Sequence, residues 1–287
     1  MALMASTQDN RAPARTVLVT GASSGIGAYC ARALRRDGWR VLATARKPED
    51  LAALEAGGVE ALYLDYAEPA SIERLAADVL QRTGGRLDAL FNNGAHAQPG
   101  AVEDLPAEAL RAQFEVNLFG WHDLTRRLVP AMRARGRGRI VHCSSILGLV
   151  PVKYRGAYVA SKFALEGLML TLRADFDGSG VHVSLIEPGP IESRLPQTGL
   201  AWFEKYVDAE ASVHRDAYRA QVARLGQGGV KSRMKLGPDA VYKALRHALE
   251  HPRPRPHYPV TTPAKIGVLM KRLLPAAAFY RFLAARA

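Results

Sequence analysis

Short apolar runs rich in β-branched residues alternate along this chain with longer stretches of helical periodicity. The strand-like runs begin with Thr16 to Val19 and continue with Val41 to Ala45, Val59 to Leu64, Leu87 to Asn92, Arg139 to Ser144 and Val181 to Glu187. Between them the apolar positions recur at helical spacing near 28–37, 48–56, 69–83, 107–134 and 155–177. Brief runs bounded by glycine and polar turns read as strands, and the alternation with helices implies a parallel sheet covered on both faces. The pattern therefore predicts an α/β fold, a single doubly wound parallel sheet of about seven strands. Ligands of such sheets bind beyond the C-terminal ends of the strands.

The pattern also divides the chain. Residues 1–14 lack an apolar core of signal-peptide length and read as a disordered lead, followed by one domain over 15–250. His251-Pro252-Arg253-Pro254-Arg255-Pro256-His257 is an extended connector, since alternate prolines cannot continue a helix. It opens a C-terminal extension, 251–287, expected to pack on the domain. Within it, 264–287 reads as two short amphipathic helices broken at Pro275, able to close a pocket, meet a neighbouring subunit or lie on a membrane surface. No uncharged apolar run reaches 18 residues, so no transmembrane helix is expected.

Composition changes this picture little. Hydrophobic residues make up 48% of the 287 and charged ones 23%, ordinary globular usage. Cys30 and Cys143 fall in apolar stretches and read as buried reduced thiols, in keeping with a cytoplasmic protein. Lysine and arginine exceed acids by 39 to 27, with the densest run at Arg133-Ala134-Arg135-Gly136-Arg137-Gly138-Arg139. That run follows a helix end and lacks aromatic interleaving, so it reads as a solvated loop and no nucleic-acid partner is expected. His251 and His257 have no acidic or thiol partner at ligand spacing, and no metal is expected.

Two stretches carry chemistry. In Thr20-Gly21-Ala22-Ser23-Ser24-Gly25-Ile26-Gly27 a strand enters a glycine-rich turn and then a helix. Gly21 suits the tight turn, Gly25 lets backbone approach a phosphate, and Gly27 allows helix to pack closely on strand. Further on, Tyr158 and Lys162 are four residues apart, so on a helix they share a face, with Ser145 thirteen residues before the tyrosine. A cation beside a phenol favours phenolate and draws its pKa down from about 10. Such a tyrosine can exchange a proton with a reacting oxygen, and Ser145 can hydrogen-bond the same atom.

Together these residues resemble the short-chain dehydrogenase/reductase family over roughly residues 15 to 250. Gly21 to Gly27 matches its glycine turn, Ser145, Tyr158 and Lys162 its catalytic residues, and Asn117 its fourth active-site residue. The resemblance implies a Rossmann-like fold and a site in which Gly21, Ser23, Ser24, Gly25, Ile26, Gly27, Asp65, Asn92, Gly94, Tyr158, Lys162, Pro188, Gly189 and Ile191 meet a nicotinamide dinucleotide. It also implies hydride transfer at a carbonyl, with Tyr158 protonating the oxygen, Ser145 orienting it, Lys162 tuning the tyrosine and Asn117 holding a water of a proton relay. The family's Asn-Asn-Ala-Gly reads here Asn92-Asn93-Gly94-Ala95, a swap that keeps two small residues near the cofactor. Phe163 to Gly167 and Glu187-Pro188-Gly189 are further similar to the retinol and 17-beta-hydroxysteroid dehydrogenase branch.

Cofactor choice turns on the end of the second strand. NAD-users place an acid there, whereas this chain has Arg46-Lys47 and no acid before Glu49. A planar guanidinium can grip a 2′-phosphate, so NADP(H) is expected over NAD(H). Residues 191–236 fall where the family has its substrate lid, and Leu195, Leu200, Trp202, Phe203, Tyr206 and Val207 offer apolar cover or packing. Gly226-Gln227-Gly228-Gly229 is a candidate hinge. The expectation is an NADP(H)-dependent alcohol–carbonyl oxidoreductase on a lipophilic small molecule, as a homodimer or homotetramer. A 3-oxoacyl thioester reductase shares its catalytic set. An NADP-binding regulatory protein without turnover is the alternative of another class.

Overall fold

A computed structural model describes residues 14–226 and 234–285. The lead and most of the candidate glycine hinge lie outside the described residues. Seven strands form one all-parallel sheet: β1 (Thr16–Val19), β2 (Arg40–Ala45), β3 (Glu60–Tyr63), β4 (Ala89–Asn92), β5 (Gly138–Cys143), β6 (Val181–Glu187) and β7 (His257–Pro259). Their order is β3-β2-β1-β4-β5-β6-β7. The order reverses at β1, which pairs with β2 through Val17 and Val41 and with β4 through Val17 and Ala89. All residues of β1 and β4 are buried, as parallel strands sandwiched between helices require.

The connecting helices follow the sequence pattern. They are α1 (Gly25–Arg36), α2 (Pro48–Ala56), α3 (Pro69–Thr83), α4 (Ala107–Phe114), α5 (Gly120–Ala134), α6 (Gly156–Asp175), α7 (Leu195–Tyr206), α8 (Arg215–Gly226) and α9 (Pro238–Glu250). Proline at the first turn of α2, α3 and α9 costs no hydrogen bond, and α3 stops where Gly84 turns left-handed at φ 55°. α1 starts at Gly25, three residues before the apolar period becomes visible at Ala28. The helix expected over 107–134 is interrupted by a π-helical turn at Glu115–Phe119. Such a turn inserts one extra residue and re-aims the side chains around it.

β7 belongs to the proline-rich connector, so the extension completes the sheet before it forms α10 (Thr262–Leu273) and α11 (Ala276–Ala285). Thr261 caps α10, accepting from the Ala264 N–H at 3.3 Å, and Pro275 separates the two helices. The arginine run after α5 is absorbed by the N-terminal edge of the sheet. Arg135 donates to Asp88 at 2.8 Å and to the Leu87 carbonyl at 3.1 Å, and Arg139 reaches the His251 carbonyl at 3.3 Å.

Candidate active site

β1 delivers the chain into the glycine turn, and two positions there exclude any side chain. A Cβ on Gly21, held at φ 62°, would lie 2.3 Å from the Gly94 Cα; one on Gly27 would lie 2.2 Å from the Gly21 carbonyl oxygen. The loop after β4 is stitched to this turn. Thr20 Oγ1 accepts from the N–H groups of Asn93 and Gly94 at 2.8 and 3.2 Å, and Asn93 Nδ2 donates to the carbonyls of Thr20 and Gly21 at 3.1 Å each. No side chain caps the first turn of α1 at Ser24. Its N–H groups and the helix dipole are therefore available to an anion, with exposed Ser23 and half-buried Ile26 alongside. These residues fit a dinucleotide pyrophosphate. Asn93 and Thr20, which the motif reading passed over, lock the turn; only the contacts between strand ends reveal them.

At the next strand ends Arg46 and Asp65 stand together, Arg46 Nη1 lying 3.4 Å from Asp65 Oδ2, while Lys47 pairs loosely with Glu49 at 3.7 Å. Asp65 also accepts from the Ala67 N–H at 2.9 Å. The Asn92 side chain is fully buried. Its Oδ1 accepts from Tyr66 at 2.8 Å and its Nδ2 donates to Thr125 at 3.0 Å, so only its backbone can serve a ligand. Across the sheet, Ile146 N–H donates to the Pro188 carbonyl at 3.0 Å, and a Cβ on Gly189 would strike Thr261 Oγ1. Ile191 is buried and bridges Leu236, fixing the base of the lid.

Ser145 follows β5 directly and caps a short 3₁₀ turn, Ile146–Gly148, by accepting from the Leu147 N–H at 3.1 Å. α6 places Tyr158 and Lys162 one turn apart, both buried. The Lys162 ammonium is 0% exposed, donates to the Cys143 carbonyl at 3.0 Å and lies 4.2 Å from the centroid of the Trp121 ring. Trp121 in turn donates to the Gly94 carbonyl at 2.8 Å, so one indole joins the lysine to the loop beside the glycine turn. The single-sequence reading carried no sign of Trp121, because its role exists only through contacts across the fold.

Electrostatics here differ from the expectation. Burial pushes the Tyr158 phenol well above its ordinary range, with Cys143 adding to the rise and only Ser145 and Arg155 opposing it. Lys162 is not among the groups lowering it; its ammonium lies 5.8 Å from the Tyr158 ring centroid and faces a carbonyl and an indole instead. Burial also pulls Lys162 down to about 8. A positive charge buried beside a carbonyl, with no carboxylate in salt-bridge range among the described residues, is a strained investment that fold stability does not explain.

Asn117 sits in the π-helical turn, fully buried. Its Oδ1 accepts from the His96 N–H at 3.2 Å and its Nδ2 donates to the His96 carbonyl at 2.9 Å. The Asn117 side chain thus joins the loop after β4 to this turn, and its Nδ2 lies 3.5 Å from Ser161 Oγ on α6. In the lid, Phe203 and Val207 form a small separate core with Ala101 and Tyr218, so they are packing residues. Trp202 stacks on Tyr206 at 6.0 Å and on the buried His96 of the loop after β4 at 4.0 Å, so the half-buried rings of Trp202 and Tyr206 form the lid's aromatic face. The connector histidine His257, by contrast, meets two acids that its sequence neighbours do not supply: Glu187 at 2.6 Å and Glu166 at 3.6 Å.

Comparison with known proteins agrees with this geometry. The family model for short chain dehydrogenases matches residues 15–202. The oxidoreductase YbbO of Escherichia coli (strain K12) is 39% identical over 261 residues, 91% of this chain and 91% of that one. Human retinol dehydrogenase 8 is 32% identical over 259 residues, 84% of this chain and 79% of its own length. A short-chain dehydrogenase/reductase of Burkholderia phymatum, solved in complex with NAD, superposes with a TM-score of 0.76 at 25% identity, covering 91% of this chain and 92% of that one. One from Burkholderia cenocepacia, solved in complex with NADP, shares the fold at 24% identity with a TM-score of 0.73, covering 94% and 97%. Solved relatives of this fold thus carry either dinucleotide.

Proposed function

The chain belongs to the short-chain dehydrogenase/reductase family, an oxidoreductase family, and from that premise we propose that it interconverts an alcohol and a lipophilic aldehyde or ketone with NADP(H). The observation that carries this reading is the meeting of Ser145 with Tyr158, one turn from a Lys162 that Trp121 joins to the loop packed on the glycine turn, where Gly21 and Gly27 admit no side chain. When bound, the nicotinamide supplies the hydride to the carbonyl carbon or takes it back. The chain's own residues manage the oxygen and its proton. In the reductive direction Tyr158 Oη gives its proton to the carbonyl oxygen, and Ser145 Oγ hydrogen-bonds that oxygen as negative charge gathers on it. Lys162, held by Cys143 and Trp121 one turn from the tyrosine, would hold the nicotinamide ribose. Asn117, by tying the loop after β4 to the π-helical turn and reaching Ser161, holds the wall of the site against α6.

Arg46, two-thirds exposed and paired only loosely with Asp65, supports the preference for a 2′-phosphate. The His96–Trp202–Tyr206 stack supports a lipophilic substrate. α10 lies close to the Ser145 turn, since Gly267 faces Ile146 and Lys271 Nζ donates to the Leu149 carbonyl at 2.6 Å. Its outward stripe of Ile266, Leu269 and Leu273 supports a homo-oligomer, with vesicle sedimentation at low salt separating that from a membrane surface. The decisive assay is NADPH oxidation across lipophilic aldehydes, ketones, steroids and acyl thioesters. Turnover of the neutral lipophilic carbonyls is expected; tight NADPH binding with silence on every carbonyl would overturn the reading.

A further inference from the structure

Away from the residues assigned to the reaction, three ligand-type side chains converge from elements far apart in the chain. Glu166 lies one turn beyond Lys162 on α6, Glu187 ends β6 and His257 begins β7. One ligand atom from each lies within 4.8 Å of the others. His257 Nδ1 is 2.6 Å from Glu187 Oε1 and 3.6 Å from Glu166 Oε2.

The acids are not ordinary surface charges. Glu166 is 4% exposed and Glu187 0%, yet neither Glu166 oxygen finds a hydrogen-bond partner. Ser144 Oγ is a near polar neighbour but does not reach hydrogen-bonding geometry. A buried carboxylate left in this way is costly, and a second one close by makes it more so. Burial and the Glu187 charge together hold the Glu166 carboxyl up to about 7. The positive groups facing the cluster are Lys162 and Arg173, neither of which pairs with it, so only His257 answers its charge at contact distance. Glu187 Oε2, meanwhile, accepts from the Tyr258 N–H at 2.8 Å, an outer bond of the kind that orients a ligating carboxylate.

We propose that Glu166, Glu187 and His257 form a binding site for a small first-row divalent cation, zinc fitting best. One imidazole with two carboxylates is a zinc-type donor set, and zinc–ligand lengths of about 2.0–2.2 Å in tetrahedral geometry require ligand atoms about 3.3–3.5 Å apart. The contact between His257 and Glu166, at 3.6 Å, is within about 0.3 Å of that spacing. The pair formed by His257 and Glu187 opens by less than about 1 Å once the proton between them leaves, as metal binding requires. The His257 side chain is 37% exposed, which gives the ion a route in and leaves a fourth position toward solvent. Such an ion would clamp β7, and the extension that follows it, onto β6 and the catalytic helix. Its role is structural, and the proposal stands apart from the reaction assigned above.

The test uses the whole chain, stripped with a chelator and titrated with zinc chloride by calorimetry and thermal melting near pH 7.5. One equivalent should bind, and zinc at a hundredfold excess over its Kd should raise Tm by about 5–10 °C for a chain of this size. Glu166→Gln keeps shape and packing, so metal-free it should melt close to the metal-free parent; His257→Ala takes the only contacting positive group from the buried acids, so it should melt lower and is judged by its zinc affinity. Each should lose more than the about 10–100-fold in zinc affinity that altering an outer partner removes. His251→Ala, which disturbs the stacked pair of His247 and His251 at 4.4 Å, should leave zinc affinity unchanged. Absence of saturable zinc binding by the parent overturns the site. So does zinc affinity that survives both Glu166→Gln and His257→Ala, or that disappears in His251→Ala.

Discussion

The two edges of the central sheet use charge in opposite ways. At the N-terminal edge Arg15 meets Glu250 at 3.0 Å, Arg40 meets Glu60 at 2.6 Å and Arg135 meets Asp88 at 2.8 Å. These groups keep contact with water, each has a partner of opposite sign, and each exposed pair contributes at most about 1 kcal/mol. At the C-terminal edge Lys162 is wholly buried against a carbonyl and an indole, with no carboxylate in salt-bridge range among the described residues. Folding gains nothing from a cation there, so the comparison separates charge that serves the fold from charge that serves chemistry. The arginine run after α5 belongs to this N-terminal edge, where Arg135 and Arg137 meet Asp88 and Arg139 reaches the His251 carbonyl.

Lys162→Met tests the separation hardest. It should lower turnover by about 10²–10⁴-fold while leaving thermal stability intact or improved. The sign of its pH dependence follows from the cited shift. Burial lowers the folded lysine to about 8, so between roughly pH 8 and 10 the unfolded chain binds more protons than the native one, and parent stability rises with pH. Below about 8 the penalty is present in full, on the order of 3 kcal/mol. In Lys162→Met that rise should vanish, as melts across pH 7.5–9.5 would show. An identical pH slope in both proteins would mean that Lys162 is not desolvated.

Arg46→Asp probes an exposed charge at the functional edge. Removing a charge-assisted contact to a 2′-phosphate should lower the ratio of NADPH to NADH efficiency by about 10–100-fold, with stability unchanged. A constant ratio removes the NADP(H) assignment. Asp88→Asn does the converse at the N-terminal edge. Asp88 accepts from the Thr16 N–H at 2.8 Å and pairs with Arg135, so a loss of about 1–2 kcal/mol in denaturant unfolding is expected, with kcat unaltered. A large fall in kcat would show that the two edges are not separable in this way.

How much of this was legible in the sequence depended on distance along the chain. Strands and helices rest on local periodicity, and the observed elements lie close to the expected bounds, including the break at Pro275 between α10 and α11. The glycine turn and the helical pair of Tyr158 and Lys162 are local motifs, so they too could be read directly. The π-helical turn at Asn117 could not, because one inserted residue leaves the apolar period of 107–134 almost undisturbed. Trp121 beneath Lys162, and Asn93 across the glycine turn, are defined by contacts between distant segments. The same holds for His257. Its sequence neighbours offer no ligand, while the fold supplies Glu166 and Glu187 from 91 and 70 residues away. The tyrosine expectation erred for a related reason: spacing shows that a cation is on the same helical face, but not that it faces a carbonyl instead of the phenol.

The central claim is that Tyr158 exchanges the proton at the carbonyl oxygen. The direct measurement compares the parent with Tyr158→Phe, recording NADPH binding by fluorescence titration alongside carbonyl reduction on the best substrate of the panel. Unchanged NADPH affinity is expected, with turnover reduced by at least about 10²-fold, the scale of a lost general acid. Turnover retained at the parent rate by Tyr158→Phe would contradict it.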